Sequence, residues 1–212
     1  MKGKAFMNYL QEVAELRNTY FALRHGNSLA NRAELIVSHP DDGVPLYGLS
    51  DTGKAQVASA VAAAKQQFGL DHTTIIVTSD FARARETAEI AATLLGVPAI
   101  NTTARLRERF FGAWDKQHTS NYEKVWSDDV AEPDHKHNAV ESTSEVVARA
   151  TALIKELEDT YAGRNILLVS HGDTLQILQT AFERVAASQH RMLSHLQTGE
   201  IRKLRLKASN SS

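Results

Sequence analysis

The stretch that decides the fold is LRHGNSLAN, which spans Leu23–Asn31 and closes the apolar run Tyr20–Leu23. A short apolar run that ends in a polar turn with a glycine predicts a buried strand reaching the rim of a sheet. Ligands bind at that rim in an open α/β sheet. Arg24 and His25 are therefore expected at a crevice, where an arginine fork matches phosphate oxygens and a neutral imidazole can attack phosphorus. Gly26 is expected to let the backbone turn close to the ligand. Taken alone, these residues equally describe a strand end with a solvated Arg-His pair.

A second junction of the same kind lies far downstream, in the segment ILLVSHGD at Ile166–Asp173. It repeats the order of an apolar strand, a His-Gly pair and a helix. Two histidines placed alike at two strand ends are expected to face each other across a crevice, and these are His25 and His171.

Strand and helix patterns alternate along the chain, which predicts a parallel sheet with helices on both faces. The expected helices cover residues 5–16, 51–67, 81–95, 143–161 and 174–182, and the later strands 74–77, 97–100, 165–170 and 201–206. Ser50 is the expected cap of the second helix, and Gly96 before Pro98 marks the end of the third. Residues 32–48 and 105–140 are expected to be irregular. We expect the first of these to cover the substrate side of the site.

Composition narrows the possible functions of the 212-residue chain. Its 24 basic and 25 acidic residues give a net charge of −1, so neither nucleic acid nor a membrane is an expected partner. Because cysteine is absent, a disulfide framework, a thiolate metal site and a cysteine nucleophile are excluded. The N-terminus lacks the apolar core of a signal peptide, which favours a cytoplasmic protein. The sequence leaves the oligomeric state open.

Four blocks in a fixed order identify the chain as resembling the histidine phosphatase superfamily, the phosphoglycerate mutase-like proteins. They are LRHGNSLAN at 23–31, TSDFARARETA at 78–88, LRERFFGAW at 106–114 and VSHGD at 169–173. The resemblance covers residues 19–206. It implies a three-layer α/β/α sandwich with a mostly parallel central sheet. We expect an N-terminal helix packed on the domain within 1–18, the phosphatase domain at 19–207 and a disordered tail at 208–212.

The resemblance also implies a role for each matching residue. His25 matches the nucleophile that becomes phosphohistidine, and Glu108 matches the acid that protonates the leaving oxygen and later activates water. The phosphate-binding positions are Arg24, Ser28, Asn31, Arg83, His171 and Gly172, of which Arg24, Arg83 and His171 also count as catalytic. For Gly172 the group concerned is the backbone N–H at a helix start, where the dipole favours an anion. The expected ligand is a small phosphorylated substrate, with no cofactor.

Several of these residues have structural alternatives. Glu108 lies among Arg105, Arg107 and Arg109 and could serve only in salt bridges. Ser28 could satisfy the turn without touching phosphate. By contrast, Arg83 in the first turn of a helix is disfavoured by the helix dipole, and its placement asks for an anionic partner.

Hydrolysis is favoured over mutase chemistry. Cofactor-dependent mutases carry a tryptophan and two arginines for the substrate carboxylate, where this chain has Val125-Trp126-Ser127-Asp128. Asp128 there would repel a carboxylate. Phe111 also replaces a mutase tyrosine, and the extended C-terminal segment of those mutases is lacking. Phosphoglycerate mutase-type transfer, or a catalytically idle module that binds a phospho-ligand, remain the alternatives.

The loops carry further histidines and aromatic residues. No metal is expected at His135 and His137, because no further ligand set is apparent. His39 is expected to be solvated. The acidic stretch 128–134 would discourage highly anionic substrates if it lined the mouth of the site. The aromatic side chains Phe110, Phe111, Trp114 and Trp126 would then favour a less charged leaving group, or would simply belong to the core.

Overall fold

Five strands form one sheet in the computed structural model, which describes residues 8–132 and 134–208. The strands are β1 (Thr19–Arg24), β2 (Ile75–Ser79), β3 (Asn101–Thr103), β4 (Asn165–Ser170) and β5 (Ile201–Leu204). Their order in the sheet is β3-β2-β4-β1-β5, and only β5 runs antiparallel to its neighbour. The helices are α1 (Leu29–Arg32), α2 (Pro40–Gly43), α3 (Asp51–Phe68), α4 (Ala82–Leu95), α5 (Tyr122–Ala131), α6 (Thr143–Thr160) and α7 (Gly172–Glu183).

Alternate residues of the central strands face two separate cores, because successive side chains of a strand point to opposite faces. Tyr20 and Ala22 of β1 pack with α6 and α7, whereas Phe21 and Leu23 pack with α3 and α4. The same alternation runs through β4. The three-layer α/β/α sandwich with a mostly parallel sheet is thereby confirmed.

The register of β1 and β4 explains why the two histidines meet. These neighbouring strands are parallel, and Arg24 at the end of β1 pairs with Ser170 at the end of β4. The next residue of each chain segment is a histidine, and the backbone N–H of His25 still donates to the carbonyl of Ser170 at 3.0 Å. His25 and His171 therefore leave the sheet side by side.

Two expected elements differ from the structure. The helix over 5–16 is, among the described residues, a 3₁₀ turn at Tyr9–Gln11; residues 5–7 lie outside them. Just after this segment, the backbone N–H of Arg17 donates to the carboxylate of Glu158 on α6. Leu10 is nevertheless buried against the same core. The bounds 97–100 expected for the third strand are wrong: the strand is β3 at Asn101–Thr103, a short and mostly exposed edge strand whose polar residues hide it from an apolar pattern.

The region expected to be irregular between 105 and 140 contains α5. Its inward face carries Val125 and the buried carboxylate of Asp129, so the usual apolar stripe is missing. Residues 32–48 are a loop interrupted by the short helix α2. Of the tail expected to be disordered, 209–212 lie outside the described residues. Across the described ranges, no helix is long and apolar enough to cross a membrane.

Candidate active site

The two histidines and two arginines named from the sequence lie together at the carboxyl ends of β1, β2 and β4. The rings of His25 and His171 are 5.2 Å apart between centroids and lie nearly edge to face. Arg83, from the first turn of α4, reaches both: its Nε lies 3.2 Å from Nε2 of His25 and 3.1 Å from Nδ1 of His171. All three side chains are buried.

Hydrogen bonding fixes which nitrogen of His25 is free to react. Nδ1 lies 2.8 Å from the backbone carbonyl of Gly26, which can only accept, so Nδ1 carries the proton. Nε2 therefore presents its lone pair toward Arg83. Burial and the positive charges of Arg83 and Arg24 hold the pKa of His25 well below its usual range. The ring is neutral at physiological pH, which a nucleophile needs.

His171 is held by a second pair of contacts. Its Nδ1 accepts from Arg83, and its Nε2 lies 2.9 Å from the hydroxyl of Ser79 at the end of β2. Burial, together with the charge of Arg83, lowers the pKa of His171 as well. From these contacts His171 is neutral and carries its proton on Nε2, which donates to the Ser79 hydroxyl.

The arginines keep donors that the protein leaves unused. Nη2 of Arg83 donates to the carbonyl of Val37 and Nη1 of Arg24 to that of Leu196, at 2.9 and 2.8 Å. Nη1 of Arg83 and Nε of Arg24 are buried without a hydrogen-bond partner among the described residues. A buried N–H without a partner is costly, and a ligand oxygen would satisfy it. The site is therefore built to receive an anion.

Glu108 is buried beside this cluster, and its side chain packs against the first turn of α7. Its Oε1 accepts from the backbone N–H groups of Arg109 and Thr174 at 2.9 and 3.1 Å, and lies 3.2 Å from the Thr174 hydroxyl. Burial raises the pKa of Glu108 and the charge of Asp173 adds to that rise, while Arg83 opposes it. The three neighbouring arginines form their ion pairs with other carboxylates: Arg105 with Glu156, Arg107 with Asp80 and Arg109 with Asp129.

The remaining predicted phosphate-binding residues line the turn after β1 and the start of α7. Ser28 and Asn31 form a capping box on α1, in which the side-chain oxygen Oδ1 of Asn31 accepts from the backbone N–H and the hydroxyl of Ser28 at 3.0 and 2.9 Å. The backbone N–H of Asn31 donates to the Ser28 hydroxyl at 3.2 Å, so Ser28 satisfies the turn, while the side-chain nitrogen Nδ2 of Asn31 takes no part in these bonds. Gly172 opens α7, and a Cβ there would lie 3.1 Å from the guanidinium carbon of Arg24. Gly26 turns close to backbone instead of ligand, since its Cβ would clash with the Gly53 carbonyl at 2.4 Å.

His195 is a site residue that the sequence did not indicate. Its Nε2 lies 2.6 Å from Nη1 of Arg24, and its Nδ1 lies 3.3 Å from the Gln176 amide oxygen. Because that oxygen only accepts, Nδ1 holds the proton and Nε2 accepts from Arg24. Burial and the nearby Arg24 lower the pKa of His195 to about 4, which keeps it an acceptor at neutral pH. It comes from an irregular segment with no motif to mark it.

The helix α5 adds an aromatic wall to the site. Tyr122 stacks on Trp126 with centroids 5.3 Å apart, and Arg191 lies 3.6 Å from the Trp126 ring centre. Burial raises the pKa of Tyr122, and the charge of Glu108 raises it further. Trp126 donates to Asp173 at 3.0 Å. Finding Tyr122 from sequence would have required recognising α5.

A buried ionic network supports this wall from behind. Arg109 donates to both oxygens of Asp129 at 2.7 Å and to Asp173 at 3.3 Å. Burial alone would raise the pKa of Asp173, but the nearby His190, whose Nε2 lies 3.4 Å from an Asp173 oxygen, and Arg109 outweigh it and lower that pKa. Asp173 is therefore ionised beside Glu108.

The other loop histidines considered from the sequence contact groups other than His25 and His171. His39 caps α2 and packs edge-on against Phe110, with centroids 5.6 Å apart. His135 donates to the buried Asp129, and His137 pairs with Asp128 at 3.5 Å. One ligand atom each from Asp128, His135 and His137 lie within 4.8 Å of one another, a closer approach than the sequence indicated. Ion pairs and hydrogen bonds account for this arrangement.

A parallel α/β/α sandwich that places two neutral histidines and two arginines at its strand ends defines a phosphoryl-transfer class of protein. Comparison with known sequences agrees: the profile of the histidine phosphatase superfamily (branch 1) matches residues 20–211. The chain belongs to this superfamily. Its relatives include a probable phosphoglycerate mutase GpmB of Klebsiella pneumoniae (strain 342), 31% identical over 82% of this chain and 78% of the relative. The protein of the same name from Escherichia coli (strain K12 / DH10B) is 30% identical over the same shares.

Solved structures share the fold. A mycobacterial glucosyl-3-phosphoglycerate phosphatase in complex with VO3 superposes with a TM-score of 0.72 at 21% identity, covering 90% of this chain and 99% of the other. Bacillus stearothermophilus YhfR gives a TM-score of 0.68 at 24% identity, with 87% and 89% covered. Proteins similar to this chain are thus named both as phosphatases and as mutases.

Proposed function

We propose that the protein is a phosphatase that hydrolyses phosphomonoesters of small metabolites through a phosphohistidine on His25. The observation that carries the proposal is the pair of unsatisfied, buried arginine donors beside Nε2 of His25, the unprotonated nitrogen of that ring. Placement and compensation of charge are most of what phosphoryl transfer asks of a protein. Arg24 and Arg83 supply both, with Asn31 and the Gly172 N–H as further donors to the phosphate. His171 would support the transfer by accepting from Nε of Arg83, and Ser28 would act only through the turn it caps.

Each step assigns a job to one residue. In the first, Nε2 of His25 forms a bond to phosphorus as the bond to the leaving oxygen breaks, and Glu108 gives its proton to that oxygen. The alcohol product leaves. In the second step water attacks phosphorus, its proton passes to the Glu108 carboxylate, and the N–P bond breaks to release phosphate. The raised pKa of Glu108 favours the protonated form that the first step requires.

Trapping the intermediate tests the proposal. Rapid acid-free quenching after mixing with ³²P-labelled phosphomonoester should give one alkali-stable, acid-labile label per active site in the wild type. His25→Ala should abolish both the label and the hydrolysis of p-nitrophenyl phosphate, while His72→Ala, at an exposed histidine, should change neither. Hydrolysis that persists in His25→Ala would refute the assignment, and a wild type without turnover would favour an idle binding module.

Phosphoglycerate mutase-type transfer is a second candidate, favoured by the names of the GpmB relatives. It shares the phosphohistidine but passes the phosphoryl group back to a phosphoglycerate instead of to water. Incubation with 3-phosphoglycerate and a bisphosphoglycerate primer distinguishes the two. The phosphatase proposal expects inorganic phosphate to form faster than 2-phosphoglycerate, and the reverse order would establish the mutase.

A further inference from the structure

A cavity of about 730 Å³ opens beside Glu108 and has no role in the site described so far. Its wall also includes Ser38, whose neighbour Val37 accepts the hydrogen bond from Arg83. The cavity thus reaches from the proposed proton donor toward the phosphate-binding arginine. On the proposed mechanism Glu108 gives its proton to the leaving oxygen, so a cavity lined by Glu108 is a place for the leaving group of the ester.

Every cation in the described wall of this cavity is already paired. Arg107 binds Asp80 through two nitrogens, with Nη2 at 2.6 Å from the carboxylate. Arg149 holds Glu141 at 2.7 and 3.1 Å and also donates to the backbone carbonyl of Arg105.

Lys136, the third cation, forms an ion pair with Glu145, which in turn caps α6 through Ser142. Each of the three cations in the wall is therefore paired with a carboxylate, Asp80, Glu141 or Glu145, while Glu108, the remaining acid of the wall, is the proposed proton donor. A carboxylate on the substrate would have to compete with one of these existing ion pairs.

The rest of the wall is apolar and aromatic. Phe110 lines it with His39 packed edge-on against the ring, and Pro40, Ala104, Ala139 and Val140 complete it. Of the four aromatic side chains considered from the sequence, only Phe110 lines this cavity. Phe111 is buried in a separate core with Ile36 and Val140, and Trp126 belongs to the wall on α5. The described residues of the acidic stretch 128–134 do not line it either.

We propose that this cavity is the leaving-group subsite and that it selects phosphomonoesters whose leaving group is uncharged and carries an apolar or aromatic body. The inference rests on the proposed phosphatase function. It disfavours phosphoglycerates as substrates because the carboxylate next to their phosphate ester would have to compete for a cation that is already paired.

A matched pair of esters tests the inference. 3-Carbamoylphenyl phosphate and 3-carboxyphenyl phosphate have the same ring and nearly the same size, and differ in one negative charge. The wild type should hydrolyse the carbamoyl ester with a kcat/KM about tenfold higher or more, because the carboxylate must displace an existing ion pair. Equal rates, or a preference for the carboxylate, would overturn the inference and leave the phosphatase function standing. Hydrolysis of neither ester would overturn the inference if p-nitrophenyl phosphate is still hydrolysed, and would refute the phosphatase function itself if that ester is not hydrolysed either.

Freeing one cation should shift the preference. Glu141→Gln keeps an oxygen for the backbone N–H of Phe110 but releases Arg149, so the carboxylated ester should gain about tenfold relative to the carbamoyl ester. Glu156→Gln breaks a comparable but exposed pair with Arg105 outside the cavity and should leave the ratio unchanged. An unchanged ratio in a folded Glu141→Gln variant would contradict the inference, and the wild-type comparison decides it alone if that variant does not fold.

Discussion

Replacing Glu108 by glutamine removes the proposed proton donor with little change in shape. The glutamine oxygen can still accept from the backbone N–H groups of Arg109 and Thr174, so the start of α7 should keep its structure. Asp173, whose charge acts on Glu108, is not able to take over the proton, because its pKa is lowered and its oxygens are bound by Trp126 and Arg109. The variant isolates proton donation.

The expected loss depends on how much the leaving oxygen needs that proton. General acid catalysis contributes on the order of 10²–10⁴ in rate, or about 3–5 kcal/mol. An alkyl phosphate such as glycerol 3-phosphate, whose alkoxide is a poor leaving group, should lose kcat/KM by this factor in Glu108→Gln. p-Nitrophenyl phosphate releases p-nitrophenolate, an anion stable enough to leave without a proton, so its kcat/KM should fall by less than about tenfold.

The assay compares kcat/KM for the two esters across pH, with Glu89→Gln as a control at an exposed glutamate. For the alkyl ester the wild type should lose activity as pH rises through the raised pKa of Glu108, since the acid form disappears. The variant should lack that alkaline limb. Equal losses for both esters, with the alkaline limb retained, would refute the assignment of Glu108 as the acid.

Three further perturbations test the supporting residues. His195→Ala should raise KM and the inhibition constant of inorganic phosphate about tenfold with little change in kcat. His195→Gln, which keeps an acceptor for Arg24, should restore most of the lost affinity. Unchanged phosphate affinity in His195→Ala would contradict the role of His195 in positioning Arg24. The free energy of unfolding, measured by urea denaturation, should fall between pH 7.5 and 5.5 by about 1.4 kcal/mol less in His171→Gln than in the wild type. The sign follows from its lowered pKa, since the unfolded histidine binds a proton below about pH 6.5 and the folded one does not, and an unaltered pH slope would contradict it. Arg109→Met should lower the free energy of unfolding by about 3–5 kcal/mol, because two buried aspartates lose their shared cation; a loss under 1 kcal/mol would show that the network carries little stability.

The sequence was sufficient for the part of the site that follows from strand order. Apolar runs ending in His-Gly located β1 and β4, and the parallel register of these two strands then brings His25 and His171 together. Arg83 was recognisable because a cation in a first helical turn is unfavourable without an anion. These inferences depend only on local patterns and on one pairing.

The parts that could not be predicted depend on tertiary contacts between polar residues. The helix α5 was missed because its inward face carries Asp129, whose burial makes sense only once Arg109 is opposite. Nothing in the segment that holds His195 shows that it reaches Arg24. The same limit applies to the choice between ligand and cap for Ser28, which only the geometry of the α1 capping box decides.

Burial alone moves the two proposed reacting groups in the directions that the chemistry needs. It disfavours the charged form of each group, so it lowers the pKa of His25 and raises that of Glu108. The surrounding charges then act unequally: Arg83 and Arg24 deepen the shift of His25, whereas Arg83 opposes the shift of Glu108 and Asp173 reinforces it. The ionised Asp173, fixed by Trp126 and Arg109, therefore offsets the effect of the phosphate-binding cation on the acid. An anion bound between the arginines would add to this effect, so substrate binding itself should favour the protonated acid.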